Sequence, residues 1–358
     1  MKKKKFSKLR EWNRRRNYLM KRLRMDIARF RFDTKERRHF DFSQVQRVLF
    51  LRDDDKIGDM VVSTSLFREF GQAGLHIDVL AGKNSANVIT HNSYIKKIIT
   101  ISADEENSLK LAKQLSYQPY DLVVDMGDQM SPQRLRFLSA LKAKNLIGFN
   151  KDHYNLYNKS IAYDGFNLHI TERYKSLLKT LGFNDSNTQY DLHTSEEVRQ
   201  QVAQFLASLP QFPNVVLNPF TADKKRDLSH TQCHELVDKI KSQYSQINII
   251  LVGTPNKINE LKIPGTYINP FNTLESAIEI IHHANLVISP DTSIVHIAAA
   301  WEKPLVCLYG HDMHGKFINS MVWGPGNPRS IQLFTKSKEH SVSTISVDEI
   351  IDSLNLLF

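Results

Sequence analysis

Three polar runs each follow an apolar stretch of strand length and hold side chains suited to group-transfer chemistry. After Leu286-Val287-Ile288 comes Ser289-Pro290-Asp291-Thr292-Ser293-Ile294-Val295-His296, and apolar residues then recur at helical spacing through Ile294, Ile297, Ala298 and Trp301. The first N–H groups of such a helix lack internal partners and lie at the positive end of its dipole, so the turn could hold an anion such as a diphosphate. Thr292 and His296 fall one turn apart on one face. Equally, Asp291 could merely cap the helix, and His296 could be a satisfied core histidine.

The second run, Arg52-Asp53-Asp54-Asp55-Lys56-Ile57-Gly58-Asp59, follows the strand-like Val45–Leu51. Gly58 allows close backbone approach, and Asp59 lies at the carboxyl edge of the sheet, where its carboxylate could serve as a general base or simply cap the next helix. Asp53, Asp54 and Asp55 could instead hold a divalent metal, as in metal-dependent sugar transferases. In the third run, Asn218-Pro219-Phe220-Thr221-Ala222-Asp223-Lys224-Lys225-Arg226, three consecutive cations after Val215–Leu217 could neutralise a diphosphate leaving group or form a solvated face.

One further loop is a near miss. Gly310-His311-Asp312-Met313-His314-Gly315-Lys316-Phe317 has the G-x-x-x-x-G-K spacing, but Phe317 stands where a Ser or Thr hydroxyl would hold magnesium. His311, Asp312 and His314 could ligate a metal, although three polar residues on one loop are commonly just a loop. The chain has no G-x-S-x-G, no H-E-x-x-H and no G-x-G-x-x-G, which weakens serine-hydrolase, zinc-protease and dehydrogenase readings.

The elements that must position these runs alternate. Strands are expected at Val45–Leu51, Ile77–Leu80, Ile95–Ile101, Leu122–Val124 and Leu146–Gly148, with helices near Val61–Phe70, Asn84–His91, Asn107–Leu115, Pro132–Leu141 and Glu172–Leu181. Gly182–Thr188 reads as a polar linker. The rhythm restarts with strands at Val215–Leu217, Ile247–Val252, Leu286–Ile288 and Leu305–Tyr309 and helices near Thr231–Tyr244, Leu274–His283 and Ser293–Trp301. The expected fold class is therefore α/β: two doubly wound, Rossmann-like domains facing a cleft at their carboxyl edges, preceded by a basic helical arm. The expected boundaries are 1–40 for the arm, 41–183 and 184–345 for the two domains, and 346–358 for a C-terminal helix.

Length and composition agree with that scheme. The 358 residues suffice for two cores, hydrophobic residues make up 41%, and the mean hydropathy is −0.38. No run of about 18 apolar residues is present, and the charged start lacks a following apolar segment, so a cytoplasmic protein is expected. Cys233 and Cys307 have no paired spacing, which argues against a structural zinc site. The net charge of +10 is unevenly placed: residues 1–40 hold 17 Lys/Arg against 4 Asp/Glu, and the other 318 residues sum to −3. Leu9, Trp12, Leu19, Met20, Leu23, Ile27 and Phe30 form a helical stripe among Arg14, Arg15, Lys21, Arg22 and Arg24. Such a helix suits an anionic membrane surface, with nucleic acid or the protein's own body as competing partners.

Lys56-Ile57-Gly58-Asp59-Met60-Val61-Val62-Ser63-Thr64 and Ser289–Pro304 together resemble the bacterial heptosyltransferase family, the ADP-heptose:lipopolysaccharide transferases of glycosyltransferase family nine, across about residues 45–355. The resemblance implies a GT-B fold, an N-terminal acceptor domain, a C-terminal nucleotide-sugar domain, and inverting transfer without metal or other cofactor. It implies Asp59 as catalytic base, and it lays the family's Asp-Thr-Gly-x-x-His signature on Asp291, Thr292, Ser293 and His296. The diphosphate contact falls within Lys224-Lys225-Arg226, with Lys225 expected to make it; Gly58 and Asn218 belong to the supporting loops. Ser293 replaces the usual Gly, the Arg52-to-Gly58 loop is one residue longer, and Gly253-Thr254-Pro255-Asn256-Lys257 lacks the acidic residue of Gly-x-Pro-x-Glu.

The expected function is transfer of heptose or a related sugar from a nucleotide-diphosphate donor, ADP-heptose foremost, to a lipid-linked lipopolysaccharide core acceptor. The enzyme would sit peripherally on the cytoplasmic side of the inner membrane. A nucleotide-sugar epimerase of the same fold is the alternative enzyme. A nucleic-acid binder acting through the arm is the non-enzymatic alternative, which the −3 of the remaining chain disfavours.

Overall fold

The computed structural model describes residues 2–101, 104–164, 167–311, 313–314, 317–337 and 339–358. Asp312, Gly315 and Lys316 of the phosphate-loop-like run lie outside the described residues, as do the side chains of residues 2–9, which include Phe6 and Leu9. The chain forms two compact units: residues 1–54, 71–83 and 95–163 in the first, and residues 55–70, 84–94 and 164–358 in the second.

The first unit opens with helix α1 (Lys2–Phe32) and contains strands β1 (Arg47–Arg52), β2 (His76–Ala81), β3 (Ile95–Thr100), β4 (Leu122–Asp125), β5 (Asn145–Phe149) and β6 (Lys159–Ile161). They form one parallel sheet in the order β3-β2-β1-β4-β5-β6. Strand order reverses between β1 and β4, the arrangement of a mononucleotide-type doubly wound sheet. β1 and β4 are continuous apolar runs because both faces of a parallel sheet are covered. Leu49, Leu51, Val123 and Leu146 share a core with Leu135, Leu138 and Leu141 of α4 (Pro132–Leu141) and with Ala112 of the preceding helix, α3 (Glu105–Leu115).

Met25, Ala28 and Phe32 of α1 also join that core. Arg29 donates to the His153 carbonyl, and Asp33 accepts from the backbone of Leu156 at 2.6 Å. Trp12, Leu19, Leu23, Ile27 and Phe30 stay exposed, Phe30 at 92%. At 100° per residue they centre roughly 180° around the helix from the docked face. The last two turns therefore belong to the first unit, while the stripe expected from sequence faces away from them.

Helix α2 (Ile57–Gln72) leaves β1 and groups with the second unit over residues 57–70. There the Ser63 hydroxyl lies 3.1 Å from that of Tyr174 on α5 (Ile170–Thr180), and Phe70 stacks on Phe183. The second unit continues with α6 (Glu196–Ala207), β7 (Asn214–Leu217), α7 (His230–Gln243), β8 (Asn248–Leu251), α8 (Pro255–Leu261), β9 (Tyr267–Ile268), α9 (Leu274–His282), β10 (Leu286–Pro290), α10 (Ser293–Ala299) and β11 (Leu305–Tyr309). It ends with a small hairpin of β12 (Met313–His314) and β13 (Phe317–Ile318), then α11 (Asn319–Val322), β14 (Ser330–Phe334) and α12 (Val347–Leu357). Its parallel sheet runs β14-β11-β10-β7-β8-β9, reversing between β7 and β10.

Both α/β sheets expected from the sequence are present. The helix expected over Asn84–His91 is a correction: only one 3₁₀ turn forms, at Ser85–Val88. Asp55 caps it from outside, accepting from the backbone N–H groups of Asn84 and Ser85 at 2.7 and 2.9 Å, and Ile89 closes it by bonding back to Ala86. β6, α6, α8, β9 and β14 are additions to the expected set of elements.

Candidate functional site

In the second unit, where the strand order reverses between β7 and β10, an open cavity of about 850 Å³ lies at the carboxyl edge of the sheet. Ligands of doubly wound sheets bind at such switch points. Asn218, the first residue after β7, joins the two strands: its amide lies 2.9 Å from Ser289 Oγ and 3.1 Å from Thr292 Oγ1. With its oxygen accepting from both hydroxyls, its nitrogen donates to the carbonyls of Phe220 and Val252 at 3.2 and 3.3 Å. One buried side chain thus ties the loops after β7, β8 and β10 together.

Thr292, not Asp291, caps α10: its hydroxyl accepts from the Ile294 N–H at 3.2 Å. That leaves the Asp291 carboxylate for other work. Its Oδ2 accepts from Arg226 Nη1 and from Asn319 Nδ2, each at 3.0 Å, and Arg226 also donates to the Asp291 carbonyl. Arg226 ends a 3₁₀ turn, Lys224–Arg226, that Asp223 caps by accepting from the Lys225 N–H. The turn brings only its third cation to the cavity. Lys224 and Lys225, the latter expected from the sequence to make the diphosphate contact, are exposed and do not line it, whereas Arg226 does.

His296 is buried with its Nδ1 unpartnered, edge-on to Tyr190 and Trp323. Burial, assisted by nearby His169, pushes its pKa down to about 3, so the imidazole is neutral at physiological pH. A satisfied core histidine would have both ring nitrogens engaged or solvated. Gly58 abuts this ring: a Cβ there would lie 2.9 Å from His296 Cδ2 and 3.7 Å from Ser293 Cα. The absence of a side chain at Gly58 therefore lets the start of α2 reach the start of α10. Asp59, the third residue of α2, lies inside the first turn rather than at the cap, lines the cavity, and is 3.6 Å from Lys56 Nζ.

The three carboxylates that could have held a metal are each engaged by protein groups. Asp53 accepts from Arg134 at 2.6 Å, Asp54 pairs with Arg52 at 3.5 Å, and Asp55 caps the 3₁₀ turn.

Asp59, Asn218, Arg226, Asp291, Thr292, Ser293 and His296 therefore line one cavity, as does Gly58. The sequence matches the profile of glycosyltransferase family 9 (heptosyltransferase) over residues 108–344. The chain belongs to glycosyltransferase family 9. An Escherichia coli K12 relative provisionally named lipopolysaccharide heptosyltransferase 4 is 26% identical over 353 residues, covering 97% of each chain. The family 9 glycosyltransferase of Veillonella parvula shares the fold with a TM-score of 0.74 at 17% identity, covering 90% of this chain and 99% of its own. The E. coli ADP-heptose lipopolysaccharide heptosyltransferase II does so with a TM-score of 0.70 at 19% identity, covering 87% and 98%.

As a family 9 glycosyltransferase, the protein transfers a glycosyl group, which sets aside the epimerase alternative. The profile match begins beyond Asp59, so the placement of that carboxylate in the site rests on the geometry. Sequence reasoning missed Asn84, Asn272, Asn319 and Trp323, which also line the cavity. Only Asn272 carried a signal, an Asn ahead of the Thr273 cap of α9, where it adopts φ +56°. Lys257, where the family pattern has an acidic residue, donates to the carbonyl of the cavity-lining Thr221 and pairs with Asp227 at 3.2 Å, and does not itself line the cavity.

Proposed function

We infer that this glycosyltransferase moves heptose from ADP-heptose to a lipopolysaccharide core acceptor, with inversion and without a metal ion. The observation that carries the reading is the presence of Asp59, Arg226 and the Asp291–His296 run on the walls of one cavity. Asp59 takes the acceptor hydroxyl proton as that oxygen attacks the anomeric carbon. The bond from the anomeric carbon to the diphosphate breaks with its electron pair, and attack opposite the leaving group inverts the centre. Arg226 uses one nitrogen to hold Asp291 and keeps further N–H donors for the departing diphosphate, together with the amides near Thr292 and Ser293. The named donor and acceptor of the E. coli relatives support the choice of ADP-heptose and lipopolysaccharide.

Purified protein assayed against a panel of nucleotide sugars tests this. ADP-heptose is expected to be the preferred donor, and EDTA is expected to leave the rate unchanged, since Arg226 does the charge neutralisation that magnesium does elsewhere. A rate lost to EDTA and restored by a divalent metal would return Asp53, Asp54 and Asp55 to the chemistry, and preference for a different nucleotide sugar would overturn the donor assignment.

We also infer that α1 holds the enzyme to an anionic membrane surface on the cytoplasmic side. Among the described residues no helix is long and apolar enough to cross a membrane. The exposed Trp12, Leu19, Leu23, Ile27 and Phe30 offer apolar burial, and each basic side chain near an anionic surface adds about 1 kcal/mol. Removing residues 1–24 spares the docked Met25, Ala28 and Phe32, whereas removal of the whole arm would strip them from the first core. Full-length protein should sediment with phosphatidylglycerol vesicles, less so as salt rises but not to zero, because apolar burial resists screening. The truncated protein should remain in the supernatant while keeping its turnover on a truncated, soluble acceptor. Full-length protein that ignores such vesicles at low salt, or that binds nucleic acid in preference to them, would overturn the assignment.

A further inference from the structure

At the far end of α9 from the cavity, three potential ligands converge. Glu279, His282 and His283 are spaced i, i+3 and i+4, which stacks their side chains over one helical turn. Glu279 Oε1 lies 3.0 Å from His283 Nε2 and 3.7 Å from His282 Nδ1, and one ligand atom from each residue falls within 4.8 Å of the others. Two ligands about 2.1 Å from a common ion at the tetrahedral angle sit about 3.4 Å apart, and the two observed separations straddle that value.

The surroundings fix the carboxylate. Glu279 is 3% exposed, and its second oxygen accepts from the Thr194 hydroxyl at 2.6 Å, the outer hydrogen bond that orients ligating carboxylates. His282 is held by stacking on Trp301, with ring centroids 4.4 Å apart and planes at 20°. Both imidazoles are about half exposed, so an ion can reach them and complete its shell with water. The carbonyl end of a helix favours a cation, while Lys303, whose charge acts on His282, opposes one.

We propose that Glu279, His282 and His283 form a binding site for a first-row divalent transition-metal ion, zinc above all. Two imidazoles and one carboxylate suit zinc, cobalt or nickel, whereas calcium and magnesium demand oxygen ligands. On binding, the ion replaces the proton that His283 shares with Glu279. The site is structural: none of its ligands lines the transferase cavity, and the ion would clamp the end of α9 to the Thr194 segment entering α6. It stands independently of the donor and acceptor assignment.

Calorimetric titration of the full chain with zinc chloride, after EDTA treatment and dialysis, is the test. Wild type should show one saturable zinc site and a raised melting temperature with zinc. His282→Ala/His283→Ala, changing two half-exposed side chains, should lose that site and that shift. Thr194→Val should keep the stoichiometry but weaken affinity about tenfold or more, the cost of losing an orienting partner. Calcium should not compete. If the double variant binds zinc as wild type does, or wild type shows no saturable site, the three residues form only a Glu–His ion pair and the proposal fails.

Discussion

Asp59→Asn is expected to cut kcat by about two to four orders of magnitude while leaving donor affinity near its wild-type value. The amide keeps the size and much of the hydrogen-bonding capacity of the carboxylate but cannot take the proton released as the acceptor oxygen attacks. The loss should fall on kcat and kcat/KM alike, because proton transfer belongs to the transition state and not to donor binding. A carboxylate in the first turn of α2 also favours the helix dipole, so the substitution should destabilise the fold by about 0.3–1 kcal/mol, too little to unfold it. Turnover with ADP-heptose, donor titration and a thermal melt together separate these effects. Retention of more than about a tenth of the wild-type kcat in a folded variant would show that another group takes the proton.

The central strands were legible because a parallel strand covered on both faces must be a continuous apolar run between polar turns. Leu286–Pro290 and Leu305–Tyr309 are such runs. The edges were not: β9 is two residues long, and β14 is mostly half-buried, so neither gives a clear period. Helix α6 begins with a Ser195 cap and acidic Glu196 and Glu197, yet it buries only Val202, and its apolar face is correspondingly faint. In the site, Asp59 and the Asp291–His296 run stood out because they follow strands at the edge where such sheets bind ligands. Which residue caps α10 depended on Arg226 and Asn319, 65 and 28 positions away, drawing Asp291 off to bond them. Asn319 and Trp323 reach the cavity from the start of a four-residue helix and from the residue just after it, a stretch with no periodicity to read.

The choice among Lys224, Lys225 and Arg226 shows why charge type alone could not say which cation lines the cavity, and it sets the second large effect. Thr221 donates its N–H to Asp227 at 2.6 Å and its hydroxyl to the Asp223 carbonyl, closing a tight loop that leaves two cations in solvent and one against Asp291. Arg226→Ala is therefore expected to lower kcat/KM by about two to three orders of magnitude, with both a higher donor KM and a lower kcat. Both parameters move because the diphosphate is charged in the ground state and gains charge as it departs. Arg226→Lys should recover part of the kcat loss, since it restores the charge but not the planar fork that holds Asp291 while contacting phosphate. Lys225→Ala, at an exposed position outside the cavity, should leave donor kinetics within about twofold of wild type, the scale expected of a screened surface charge. Steady-state kinetics on the three variants, each checked by thermal melt, decide the assignment. A loss in Lys225→Ala that matches or exceeds the loss in Arg226→Ala would move the contact to Lys225 and require this loop to rearrange when the donor binds.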